Sequence, residues 1–249
     1  MKRTTLFHII AIGTLICATG NITMASPNKV DQVFLQANDE KVEIIPYPRL
    51  QLGNEYFKQK LAGTNPKIFL RKGVVTRLNL ALTYLPKEYG FIIFDAFRTI
   101  ETQWAIWNVM HEIVKKQHPS WTQEQVFQET LKFVSNPSSK GLYPVQPHNS
   151  GGAIDIGLTD ANGNILDMGA AFDEISEKSA TGYFDQTRPD HSEISSENWT
   201  TFSKRRHILT KALMKAGFTN VKEEWWHFDL GSCCWASQVD SKWYYPPME

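Results

Sequence analysis

The sequence predicts an α+β domain, with one central mixed or antiparallel sheet flanked by helices. Three observations carry this: helical and strand-like patterns alternate irregularly, an Asn-Gly turn joins two apolar runs, and no internal repeat is visible.

In chain order, residues 67–85 place Leu70, Val74, Leu78 and Leu82 at helical spacing, and Pro86 ends the pattern. Residues 91–97, F-I-I-F-D-A-F, follow Gly90 and are short, β-branched and aromatic, so they read as a buried strand that delivers Arg98 at its exit. A helix is expected over 99–116, capped by Thr99, with Ile100, Trp104, Trp107 and Val114 inward. Thr122 and Gln125 form a capping-box pattern for a helix to Phe133, with Val126 and Leu131 inward. Residues 135–147 have loop composition. In A-I-D-I-G-L, 153–158, apolar residues alternate with Ala153, Asp155 and Gly157, and Asn162-Gly163 turns the chain toward a second strand. A last amphipathic helix spans 197–216 with Gly217 as its stop, and a final strand carries E-E-W-W-H-F-D-L, 223–230.

The 249 residues are 42% hydrophobic and 21% charged, enough for one sizeable core. Lys plus Arg equals Asp plus Glu at 26 each, and no basic stripe is present, which argues against a nucleic-acid partner. Met1-Lys2-Arg3, a short apolar run over 6–20 and small residues up to Ala25 read as a secretory signal peptide, residues 1–25, leaving one domain over 26–249. The mature chain is then expected to be periplasmic or secreted, without a membrane anchor; no protein partner is predicted. Cleavage removes Cys17 and leaves Cys233 and Cys234, an adjacent pair that builds no disulfide framework.

Three groups of residues can carry chemistry. His148 and Asp155 flank a Ser-Gly-Gly bend; on the strand, Asp155 points away from Ile154 and Ile156, toward the space above Ala153 and Gly157. A first-row metal ion suits that pair, and so does an ordinary loop histidine beside an exposed aspartate. Glu224-Trp225-Trp226-His227 offers a third metal ligand and a carboxylate base, or simply an aromatic strand with a bonded histidine. Because residues three apart face opposite sides of a strand, Glu224 as base must sit at a strand entry, bulge or turn. Arg98 can stabilise an oxyanion, or pair with Asp95 to tie helix to sheet. His111 and His207 fall on predicted helices among charged residues, and His191 in a surface loop.

Taken together and in order, these motifs resemble the VanX-type zinc-dependent D-alanyl-D-alanine dipeptidases of peptidase family M15, subgroup D, a group related to zinc D,D-carboxypeptidases and the hedgehog domain. The family fingerprint S-x-H-x-x-G-x-A-x-D is matched at His148, Gly151, Ala153 and Asp155, with Gln146 in the serine position; E-W-W-H matches at 224–227, and D-A-Y-R corresponds to D-A-F-R, 95–98. D-M-G-x-x-F-D is matched by D-M-G-A-A-F-D, 167–173. The resemblance implies one zinc ion per chain on His148, Asp155 and His227, Glu224 as catalytic base, Arg98 as the transition-state arginine, and Asp173 as the partner of a substrate ammonium. It leaves the family's substrate-holding tyrosine unassigned, with Tyr56 nearby, and places Thr99 where proline is usual and a longer segment over 110–143. The implied substrate is a D,D-dipeptide; the alternatives are a zinc D,D- or L,D-carboxypeptidase acting on peptidoglycan stem peptides, and a noncatalytic zinc-stabilised binding module.

Overall fold

The computed structural model describes residues 39–138 and 144–248; the signal-peptide reading of residues 1–25 lies outside them. Strands β4 (Gly90–Asp95) and β5 (Ala153–Thr159), buried at every position, form the centre of a five-stranded sheet. Strand β2 (Leu50–Leu52) flanks β4 in parallel, while β7 (His227–Asp229) and then β6 (Thr219–Asn220) continue from β5 antiparallel, giving the order β2-β4-β5-β7-β6. The sheet is therefore mixed, as expected. A separate antiparallel pair joins β1 (Lys41–Glu43) to β3 (Phe69–Arg71).

Six helices surround this sheet among the described residues: α1 (Glu55–Lys58), α2 (Lys72–Tyr84), α3 (Ile100–Gln117), α4 (Gln123–Thr130), α5 (Ser196–Lys215) and α6 (Cys233–Gln238). Helices α2 and α5 pack together, and their Leu78, Ala81, Leu209 and Leu213 join Ile154, Ile156 and Leu158 in the main core. A smaller cluster, Tyr56, Ile106, Trp107 and Val134, sits under α1, α3 and α4, and half-buried Phe172 packs against both cores. No described helix is long and apolar enough to cross a membrane.

The helix stops follow from local chemistry. Thr99 Oγ1 accepts from Thr102 N and caps α3; Thr122 and Gln125 complete the reciprocal capping box of α4. At the end of α5, Phe218 N donates to Leu213 O and Gly217 N to Met214 O around Gly217 at φ 99°, a Schellman closure.

Several sequence expectations change. The first turn of the helix expected over 67–85 is strand β3, because Leu70 pairs with Val42 in the β1–β3 ladder and Lys72 begins the helix. Ile100 and Trp104 of α3 remain 41% and 37% exposed; the buried stripe runs instead through Gln103, Ile106, Trp107 and Val114. Helix α4 ends at Thr130, short of Phe133. The Asn162-Gly163 turn forms, but its second strand shrinks to a single Thr159–Ile165 bridge.

Candidate metal centre and active site

The β4–β5 ladder positions the site through an irregularity. Ile92 pairs with Gly157 and Ile93 with Ile156, yet Asp95, one residue further than a regular ladder allows, pairs with Asp155. This bulge turns Asp95 onto the face that carries Asp155, a known way of re-aiming a side chain beside a site. On the other side, Asp155 pairs with His227 and Ala153 with Asp229, so His227 and Asp229 share that face with Asp155. The space expected above Gly157 is filled: a Cβ there would meet the Phe94 ring at 2.8 Å.

His148 opens a short 3-10 turn, His148–Ser150, closed by Gly151 at φ 72°. Arg98 N donates to His148 O at 3.3 Å, and Asn149 Nδ2 donates to Arg98 O at 3.2 Å, locking the turn to the exit of β4. Met248 lies on the turn: its N donates to Asn149 O at 2.8 Å, and its sulfur lies 2.7 Å from where a Gly151 Cβ would stand.

The three sequence-predicted ligands come together. His148 Nε2, His227 Nδ1 and Asp155 Oδ1 are separated by 3.2, 3.0 and 3.4 Å, all three residues being buried. Ligands at zinc distances of about 2.0–2.1 Å in tetrahedral array stand about 3.3 Å apart, so this donor set fits one zinc ion and leaves a fourth position. The far ring nitrogens are engaged: His148 Nδ1–H donates to Ala96 O at 2.7 Å and His227 Nε2–H to Asp229 Oδ2 at 3.1 Å, which orients both rings with the other nitrogen turned toward the ligand point. Burial lowers the His227 pKa, but Asp229 and Asp155 outweigh it and hold the group well above its ordinary value; the same histidines outweigh burial at Asp155 and hold that carboxyl well below its own.

Glu224 lies outside β7, in the turn that enters it, with Glu224 O accepting from His227 N at 3.4 Å. Its Oε2 comes within 3.9 Å of His227 Nδ1, beside the ligand triad, while 32% of its side chain stays accessible. Crowding by protein, with Asp155 and Asp173 nearby, pushes its pKa up to about 7. Arg98 is 8% exposed and spends its fork on Asp95 Oδ2 (Nε at 3.0 Å, Nη2 at 2.8 Å), Gln103 Oε1 (2.8 Å) and Asp155 Oδ2 (3.5 Å). Burial opposes its charge and the surrounding carboxylates restore it, so the guanidinium stays cationic.

Asp173 adopts φ 61° and, although exposed, stands near enough to Asp155, Arg98 and Asp95 for their charges to act on its carboxyl. Crowding, then the charge of Asp155, raises its pKa to about 7, a rise that the nearby Tyr56 hydroxyl opposes. Tyr56, left unassigned by sequence, also lays its ring 5.0 Å from the Arg98 guanidinium and 5.7 Å from Phe172. Residues that sequence reasoning passed over are Asp229, visible in retrospect as the same-face neighbour of His227 two positions on, and Gln103, for which no sequence signal exists. Of the other histidines, His207 pairs with Asp185 at 3.0 Å on the surface, His191 is exposed, and His111 is half-buried beside Trp107. Cys233 and Cys234 are thiols, and the Cys233 thiol donates to Val145 O at 3.1 Å.

Two imidazoles and a carboxylate converging on a point, with a raised glutamate and a buried arginine beside it, define a metallohydrolase centre of the water-activating kind. The peptidase M15 family model described as D-ala-D-ala dipeptidase matches residues 52–243. A D-alanyl-D-alanine dipeptidase of Synechocystis sp. is 31% identical over 207 residues, covering 79% of this chain and 81% of that protein. One from Escherichia coli is 40% identical over 166 residues, covering 66% and 67% respectively. Among solved structures, the vancomycin-resistance D,D-pentapeptidase VanY, a mutant with Zn(II), aligns at TM-score 0.37 and 14% identity over 68% of this chain and 76% of that one. VanYB with D-alanine-D-alanine aligns at TM-score 0.39 and 14% identity over 72% and 81%. That overlap is partial, and the assignment rests on the sequence matches: the chain belongs to the M15 D-Ala-D-Ala dipeptidase family and is a zinc-dependent peptidase.

Proposed function

We propose that this protein is an exported dipeptidase that hydrolyses D-alanyl-D-alanine and related D,D-dipeptides to free amino acids. The observation that carries the dipeptide reading is Asp173 beside Tyr56, whose ring lies 5.0 Å from the Arg98 guanidinium, which sets a free carboxylate near the ligand triad. Both curated relatives bear the name of that activity.

His148, Asp155 and His227 hold the zinc ion, which, when bound, polarises the scissile carbonyl and acidifies water. Glu224 accepts the proton of the attacking water and returns it to the leaving amine; a carboxyl held near neutrality suits both transfers. Arg98, kept cationic and immobile by Asp95 and Gln103, stabilises the developing oxyanion. Asp173 receives the substrate ammonium. An amide in its place would leave the Asp173 carboxylate, exposed in the free protein and covered once substrate binds, without its cationic partner, which selects against longer or acylated peptides. The basic start and short apolar run of residues 1–25 support export to the periplasm or medium.

The test is product analysis with purified protein, with and without chelator, on D,D-, L,D- and L,L-dipeptides, a tripeptide and an N-acetylated D,D-dipeptide. Chelator-sensitive release of D-alanine from the free dipeptide alone is expected. Equal turnover of the acylated or longer peptide would move the assignment to carboxypeptidase, and no turnover of any would leave a binding module. Export is checked by finding the chain shortened after Ala25 outside the cytoplasm.

A further inference from the structure

Arg206 is the largest buried cation outside the mechanism just described. It projects from α5, is 2% exposed, and all its hydrogen bonds among the described residues go to main-chain carbonyls. Nε donates to Met168 O at 2.9 Å, Nη1 to Ala180 O at 2.6 Å and Nη2 to Lys178 O at 2.7 Å. The guanidinium lies 4.6 Å from the ring of Phe184 and 5.8 Å from that of Trp225. Burying a cation against carbonyls alone is costly unless the bonds it makes are needed. Burial lowers its pKa to about 10, so it remains charged at neutral pH.

Those three carbonyls stand at the two ends of one segment, residues 168–180. Within it lie Gly169 at φ 85°, Phe172 stacked 5.0 Å from Phe94, and Asp173 in a left-handed conformation at φ 61°. A non-glycine residue persists there only when its surroundings over-determine it. The far end of the segment is also tied to the turn that holds Glu224: Trp225 N donates to Ser179 O at 2.9 Å, and next to it Thr181 N donates to Lys222 O at 2.8 Å. A planar fork can bridge both ends at once, which a lysine ammonium cannot do with the same geometry.

We propose that Arg206 is a positioning residue for amino-terminal selectivity: by clamping both ends of residues 168–180 it fixes where Asp173 meets the substrate ammonium. This rests on the reading of Asp173 given above, and the experiment separates the two. Arg206→Lys and Asp173→Asn are compared with the parent protein, all zinc-loaded, on D-alanyl-D-alanine and its N-acetyl derivative, with zinc content and thermal unfolding measured alongside. For Arg206→Lys, KM for the dipeptide rises about 10–100-fold, while kcat and zinc content hold. Its preference over the acetylated peptide narrows in proportion, and Asp173→Asn shows the same loss of preference. If Asp173→Asn leaves the preference untouched, the ammonium reading fails. If Asp173→Asn abolishes it but folded Arg206→Lys keeps the parent KM, or loses zinc and kcat instead, the clamp fails. Should Arg206→Lys not fold, Arg206→Gln, which keeps two N–H donors without the charge, takes its place; failure of both to fold would make Arg206 a folding element and overturn the proposal.

Discussion

His227 Nε2 lies 3.1 Å from Asp229 Oδ2, and Asp229 is fully buried with its other oxygen unpartnered among the described residues. The aspartate therefore holds one face of the imidazole while the opposite nitrogen meets Asp155. Asp229→Asn should weaken zinc binding about 10–100-fold. Competition with a calibrated chelator measures it; an unchanged zinc affinity would show that the contact does not orient the ligand.

Glu224→Gln removes the proton acceptor and leaves all three ligands in place. Zinc content should stay stoichiometric while kcat drops about 10²–10⁴-fold. Retention of parental kcat in a zinc-loaded variant would end the assignment of Glu224 as base.

Arg98→Lys keeps a charge but cannot reproduce contacts to Asp95, Gln103 and Asp155 from one nitrogen. A fall in kcat of about 10²–10³-fold is expected. Gln103→Leu should give a smaller fall in the same parameter, because Gln103 Nε2 donates to Ser135 O at 2.9 Å and so braces the arginine from the far side. Steady-state kinetics in which Gln103→Leu changes nothing would remove it from the support of Arg98.

Metal removal should reverse the pH dependence of stability. Glu224 and Asp173 are raised to about 7 from ordinary values of 4.5 and 3.8, and His227 is raised above 6.5. Over that range the folded metal-free protein binds more protons than the unfolded chain, so its stability declines as pH rises. Asp155, depressed below 3.8, acts in the opposite sense: its contribution is present above that value and lost only in stronger acid. Water reaching Glu224 and Asp173 moderates the effect without changing its sign. Metal binding expels these protons, so the zinc-induced rise in Tm should grow between about pH 5 and pH 8. A metal-free Tm that climbs over this range would contradict the assignment.

Gly157→Ala places a methyl group against the Phe94 ring, which stacks on Phe172 and meets Trp225 edge-on at 6.3 Å. Overpacking of this kind costs about 1–3 kcal/mol. Denaturant unfolding checks the cost; a neutral result would mean that the aromatic wall can shift without strain.

The ligand residues were legible only jointly: His148 with Asp155, and E-W-W-H, each allowed an ordinary reading alone, and it was the agreement of several motifs in order with the zinc dipeptidases that singled out His148, Asp155 and His227. The strand reading around Asp155 also told which way its side chain points, and the strand-geometry objection placed Glu224 outside β7, where it lies. What sequence could not convey was contact between distant segments. The bulge that turns Asp95 toward Asp155 depends on one extra residue in a ladder whose partner is not known in advance. Tyr56 meets Asp173 only through tertiary folding, and Phe94 occupies the space over Gly157 for the same reason. At 69–71 the helical period was genuine, but pairing with β1 overrode it.

Met248, covering the turn of His148, couples that imidazole to residues 246–248. Arg71 grips the same turn, its guanidinium donating to Ser150 O alongside Pro246 O and Pro247 O, so β3 and residues 246–248 hold it together. The seat of the first imidazole thus depends on a segment remote from it in sequence, and a change there would be felt at His148 before it was felt in the core.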